Sequence, residues 1–127
     1  MSSPIRVLVV DDEPSIRNSL VEFLEDCEFA VSAAESAESA LELIDHTSID
    51  VAIVDIRLPK LDGDSFILQA HQRHPRMRFL IHTGSVEYKL SDELKGFGVT
   101  HAHVFLKPQM DLSVFETAIR KAMDSAG

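Results

Sequence analysis

The stretch Val51-Ala-Ile-Val-Asp55-Ile-Arg-Leu-Pro59 constrains this chain most: four apolar residues run into one aspartate, and a turn follows. A continuous apolar run this short, bounded by turn signals, reads as a strand buried on both faces. Asp55 then stands where the strand leaves the core. An ionised carboxylate there is costly unless it is paired, hydrated or bound to a metal. In an open parallel sheet, ligands bind in the crevice outside the carboxyl ends of the strands. Asp55 is therefore a candidate site residue, although a turn or helix-cap aspartate would explain it equally well if it stood alone.

It does not stand alone. Ile5–Val10 is a second β-branched run, followed directly by Asp11-Asp12-Glu13-Pro14. Pro14 suits the first turn of a helix, where its missing N–H costs nothing. Ile16, Leu20, Phe23, Leu24 and Cys27 then recur at helical spacing. Phe29–Ala34 reads as a weaker strand at a sheet edge, and Ser36 as the cap of a helix with Ala37, Ala40, Leu41 and Ile44 inward. Asp64 or Ser65 would cap a third helix ending near His74. Arg78–His82 is a fourth strand that turns at Thr83-Gly84-Ser85. Val86–Lys95 reads as a fourth helix with Leu90 and Leu94 packed inward, ended by Gly96-Phe-Gly98. His103–Leu106 is the fifth strand, Lys107-Pro108 its turn, and Asp111–Asp124 the last helix. Short strands alternating with helices imply an α/β protein: a five-stranded parallel sheet between two helical layers, joined by right-handed crossovers.

Composition narrows the class. A chain of 127 residues, 45% of them hydrophobic, suggests a single domain over residues 1–127 with a real core. A net charge of -9 argues against direct nucleic-acid binding, which needs clustered Lys and Arg. The lone Cys27 allows no internal disulfide and suits a reducing cytoplasm, and it reads as a small core hydrophobe rather than a reactive thiol. No apolar run is long enough to cross a bilayer. His71 with His74, and His101 with His103 on one strand face, have metal-pair spacing, but no further ligand accompanies either pair.

The residues that follow the strong strands are Asp11 and Asp12, Asp55, Thr83 and Lys107. In a parallel sheet these ends point the same way, so three carboxylates, a hydroxyl and an ammonium would share one crevice. Crowded carboxylates repel and call for a divalent cation, and hard oxygen ligands suit Mg²⁺. A carboxylate nucleophile, a metal, a cation and a hydroxyl donor are the parts needed to transfer a phosphoryl group to an aspartate.

Val10-Asp-Asp-Glu-Pro14, Asp55-Ile-Arg-Leu-Pro-Lys-Leu-Asp-Gly63, Thr83-Gly-Ser85 and Phe105-Leu-Lys-Pro108 together resemble the receiver domain of two-component response regulators, over nearly the whole chain. The resemblance implies a flavodoxin-like (βα)5 fold with strand order 2-1-3-4-5. It implies Asp55 as phosphoryl acceptor and Asp11, Asp12, Asp55 and the backbone carbonyl of Arg57 around Mg²⁺. It makes Lys107 a phosphoryl contact before a cis bond to Pro108, and Thr83 a mobile hydroxyl. Arg57 and Ser85 would control access of water to the phosphoryl group, with Arg57 long enough to shield it. The implied partners are a sensor histidine kinase or phosphotransfer protein and a downstream effector or a missing output domain, in the cytoplasm and off the membrane. The output surface would be the fourth helix, fifth strand and fifth helix. Homodimerisation on phosphorylation is left open.

Two features depart from the pattern. Val104 stands where relatives carry a rotating aromatic ring, and Phe105, one residue on, should face the other side of the sheet. The segment from Thr83 to Lys107 is also a little long, so the fourth helix or its loop should differ, and Tyr88 is a candidate for the relay. An alternative reading follows from Val104: a receiver-like interaction module that works without phosphorylation. An aspartate-nucleophile phosphatase of the haloacid dehalogenase type is disfavoured, because Arg57 occupies the place of its second acid. A flavin mononucleotide carrier is disfavoured because Asp11, Asp12 and Glu13 would repel a phosphate that brings no metal.

Overall fold

The alternating pattern folds as β1 (Arg6–Val10), α1 (Pro14–Asp26), β2 (Ala30–Ala34), α2 (Ala37–His46), β3 (Val51–Val54), α3 (Gly63–Arg73), β4 (Arg78–Thr83), α4 (Asp92–Gly96), β5 (Val104–Leu106) and α5 (Ser113–Ser125). The computed structural model describes residues 3–58 and 60–125, so Pro59, one of the loop signals above, lies outside the described residues. All strand pairs are parallel, in the order β2-β1-β3-β4-β5. This is the expected flavodoxin-like topology.

The pleat divides each central strand between two cores. Val7, Val9, Val51, Ile53 and Leu80 pack against Leu20 and Leu24 of α1 and Phe115 and Ile119 of α5. Leu8, Val10, Ala52, Val54 and Ile81 pack against Ala40, Leu41 and Ile44 of α2 and Phe66 and Ile67 of α3. Each fully buried Val, Leu or Ile contributes about 1.5–3 kcal/mol, so β1 and β3 need a helical layer on both sides. β2 buries only Ala34, as befits the edge strand expected there.

The α3 start is set by Asp62, ahead of the expected Asp64 or Ser65: its Oδ1 accepts a 2.9 Å hydrogen bond from the Ser65 N–H. Gly63 follows because the helix begins against the Asp55 backbone. A Cβ on Gly63 would run into the Asp55 carbonyl oxygen and stand 2.7 Å from Ile56 Cα.

Two expected elements are shorter than their sequence pattern. The fourth helix is confined to Asp92–Gly96, because Ser91 caps it by accepting from the Leu94 N–H at 3.2 Å. Leu90 and Leu94 are buried as anticipated, but Leu90 reaches the core from an irregular loop. His101 and His103 share no strand face. Thr100 caps a 3-10 turn over His101–His103, and β5 begins only at Val104. Val104 and Phe105 do face opposite sides: Val104 packs on the α2–α3 core, and the Phe105 ring lies 4.9 Å from that of Phe115 in the other.

Candidate functional site

The last rungs of the sheet position the site. The Asp11 N–H donates to the Ala34 carbonyl at 3.2 Å, the Asp55 N–H to the Val10 carbonyl at 2.9 Å, and the Lys107 N–H to the Thr83 carbonyl at 2.8 Å. Each residue is thus pinned to its neighbouring strand as it leaves the core. Asp11, Asp55 and Thr83 are buried, at 1%, 4% and 0% exposure, and the bond from Lys107 to Pro108 is cis.

The side chains converge. Lys107 Nζ lies 2.9 Å from Asp11 Oδ2, 3.2 Å from Asp55 Oδ2 and 3.4 Å from Glu13 Oε1. Asp11, Asp12, Glu13 and Asp55 each bring a carboxylate oxygen within 4.8 Å of the others'. Glu13 is the member that the reading of strand ends passed over; the acidic run after β1 was its signal. Asp11 Oδ1 accepts from the Glu13 N–H at 2.9 Å, and Asp55 Oδ1 from the Arg57 N–H at 3.1 Å. The Arg57 side chain itself is exposed. Thr83 Oγ1 accepts from the Ser85 N–H at 3.1 Å.

Four carboxylates face one ammonium, so the pocket carries excess negative charge. Burial pushes the Asp11 carboxyl above its ordinary range, and neither the Glu13 N–H nor Lys107 offsets this fully. Burial opposes the charge on Lys107, but the hydrogen bond and charge of Asp11, with those of Asp55, outweigh it and keep the ammonium protonated. An all-oxygen donor set with unbalanced charge fits a hard divalent cation. It is the only such cluster among the described residues. His71 instead stacks on Phe97, with ring centroids 3.9 Å apart, and His103 Nδ1 accepts from the Thr100 N–H. The Cys27 thiol is pushed up by burial and by Glu116, away from the lowered range of reactive thiols.

Beneath the site lies a residue that sequence reasoning placed only as a strand member. His82 is 4% exposed, neither ring nitrogen has a partner among the described residues, and its ring packs edge-on against Phe115 at 4.9 Å. Burial, with the nearby Lys107 charge, lowers it to about 4, so it is neutral at pH 7.

Comparison with known proteins agrees with the fold. The family model of the response regulator receiver domain matches residues 7–120. The response regulator Rre1 of Synechocystis is 29% identical over 97% of this chain and 53% of its own length. The transcriptional regulatory protein FixJ of Bradyrhizobium diazoefficiens is 28% identical over 99% of this chain and 62% of its own. A CheY-like receiver domain protein from Methanospirillum hungatei superposes with a TM-score of 0.81 at 28% identity, covering 98% of this chain and 97% of that one. The chain belongs to the response regulator receiver domain family of two-component signalling. It spans about half the length of Rre1.

Proposed function

We propose that this chain is a single receiver domain over residues 1–127 that accepts a phosphoryl group on Asp55 from a histidine kinase or phosphotransfer protein. The observation that carries this reading is Lys107 Nζ bridging Asp11 and Asp55 inside a cluster of four carboxylates. An Asp55 carboxylate oxygen attacks phosphorus, the bond from phosphorus to the donor's imidazole nitrogen breaks, and an acyl phosphate remains. Lys107 is within reach of the incoming phosphoryl oxygens. Thr83 Oγ1 can exchange its contact with the Ser85 N–H for one to the phosphoryl group. Asp11, Asp12, Asp55 and the Arg57 carbonyl would hold Mg²⁺, which draws charge off the phosphoryl oxygens when bound.

Signal relay lacks the rotating ring on the α2–α3 face of β5, since that place is Val104 and the Phe105 ring faces the other core. Hydrogen bonds lead another way: Ser85 N–H to Thr83 Oγ1, Tyr88 N–H to the Ser85 carbonyl at 3.3 Å, and Tyr88 hydroxyl to Asp64 Oδ1 at 2.7 Å. A moving Thr83 would pull on this loop and so on the surface of α4, β5 and α5, through which an effector or an output domain would be engaged. FixJ is longer than this chain and is named a transcriptional regulator, which supports an output carried elsewhere. Membership of the receiver family of two-component signalling supports a cytoplasmic location. Among the described residues no helix is long and apolar enough to cross a membrane.

Intact-protein mass tests the reading, after incubation with a small phosphodonor with and without Mg²⁺. A Mg²⁺-dependent phosphoryl adduct is expected in wild type and absent in Asp55→Asn. Val104 favours one second reading, a receiver that signals by binding alone. Failure of both phosphodonor and beryllofluoride to engage the folded wild type would select it.

A further inference from the structure

β5 pairs only with Ile81, His82 and Thr83, so among the described residues the Arg78–Leu80 half of β4 has no strand beside it on that edge. The chain that would extend β5 is held in the His101–His103 turn: Thr100 Oγ1 accepts from the Ala102 N–H, and the Thr100 N–H donates to His103 Nδ1 at 3.0 Å. α4 is only five residues long, and Phe97, which follows it, reaches back to set its ring edge-on to that of Phe79 at 6.4 Å. A cleft of about 880 Å³ opens there, between α5 and the stacked rings of His71 and Phe97.

Its walls are mainly apolar, with Met77, Phe79, Val99 and Phe105 among them. No Asp or Glu lines it among the described residues, although 21 of the 127 residues are acidic. Arg78, Lys121, His71 and His103 do. A second depression at the base of the sheet shares Pro75, Met77 and Arg78 with the cleft and continues it to Arg76. Arg6 and Arg73 are paired there, to Asp50 and Asp45. Arg76 and Arg78 meet no carboxylate among the described residues; an Arg78 Nη1–H instead donates to the Arg76 carbonyl at 2.8 Å.

We propose that this cleft binds a small amphipathic carboxylate, its apolar body against Phe79, Phe97 and Phe105 and its head at Arg78 and Arg76. A mostly apolar cleft of several hundred Å³ with a few placed polar groups is the usual form of a small-molecule site. Guanidinium forks match a carboxylate head with two parallel hydrogen bonds. The cleft lies at the amino end of β4, away from Asp55, and the proposal does not depend on phosphoryl transfer.

Calorimetric titration of the full chain with dodecanoate and with dodecylamine tests it, with amide shifts locating the site. Dodecanoate should bind with shifts at Met77, Phe79, Phe97 and Val99, and dodecylamine should bind at least about tenfold more weakly. Arg78→Glu should reverse the preference, while Lys89→Glu, away from the cleft, and Asp55→Asn should leave it unchanged. Equal binding of the two head groups, shifts outside the cleft, or no saturable binding of dodecanoate to wild type would overturn the proposal. So would cleft binding confined to an acidic amphipathic peptide, which would mark a protein-docking groove instead.

Discussion

The Tyr88 hydroxyl donates a 2.7 Å hydrogen bond to Asp64 Oδ1, tying the loop after β4 to the first turn of α3. Burial and this bond push the Tyr88 phenol well above its ordinary range, so it stays a donor at any working pH. Tyr88→Phe keeps the ring and leaves Asp64 without that donor. The expected cost is about 1 kcal/mol, read as a lower urea midpoint. Tyr88 is also the only tyrosine, and there is no tryptophan. If the loop relays the signal, Mg²⁺ with beryllofluoride will change tyrosine emission in wild type. Unchanged emission in a sample shown by mass or fluorine NMR to be loaded would sink the relay.

Gly63 is required by contact rather than by backbone angle. A Cβ there meets the Asp55 carbonyl oxygen and Ile56 Cα, both of them backbone atoms of the segment that carries the Asp55 side chain. Gly63→Ala should destabilise the fold by about 3 kcal/mol, the upper part of the range for overpacking. It should also weaken beryllofluoride binding in the fraction that remains folded. A variant with wild-type midpoint and affinity would show that the α3 start yields easily.

His82 makes stability fall toward acid. Its folded value, about 4, lies below the ordinary 6.5. Between those values the unfolded chain takes up a proton that the folded one refuses. That contribution is thus intact above about pH 6.5 and lost progressively down to about pH 4. From pH 7 to pH 5 the loss is about 2 kcal/mol. His82→Leu should flatten this slope in urea titrations at the two pH values. It should also stabilise the protein at pH 7, since both unpartnered ring nitrogens are removed from the core. An unchanged slope would locate the acid sensitivity elsewhere.

The site was legible because parallel strands end on the same side. Asp11, Asp55 and Lys107 each follow an apolar run, and Thr83 closes the β4 run one residue after His82, so reading strand ends was enough to collect them. Helix boundaries were less legible. Leu90 and Leu94 have helical spacing, but the same two residues are buried when a loop delivers one and a capped helix the other. Burial patterns report which side chains go inward, not the backbone that carries them. His101 and His103 mislead similarly, since period two fits a strand while Thr100 favours a self-capped turn. The Tyr88–Asp64 bond spans 24 residues, and no local pattern announces it.

Asp12 offers the clearest separation of folding from function. It is exposed and belongs to the acidic cluster, yet Lys107 reaches Asp11, Glu13 and Asp55 and not Asp12 among the described contacts. In a metal-free protein its charge adds repulsion without a compensating bond. Asp12→Asn should therefore leave the urea midpoint in chelator unchanged or raise it slightly, by at most about 1 kcal/mol. Cation binding reverses the comparison. A ligand at ten times its Kd stabilises the state that binds it by about 1.4 kcal/mol. Added Mg²⁺ should raise the wild-type midpoint accordingly and leave Asp12→Asn nearly unmoved. Paired denaturation curves in chelator and in Mg²⁺ measure both effects. Equal Mg²⁺ stabilisation of the two proteins would remove Asp12 from the proposed metal ligands and leave only Asp11, Asp55 and the Arg57 carbonyl in that proposal.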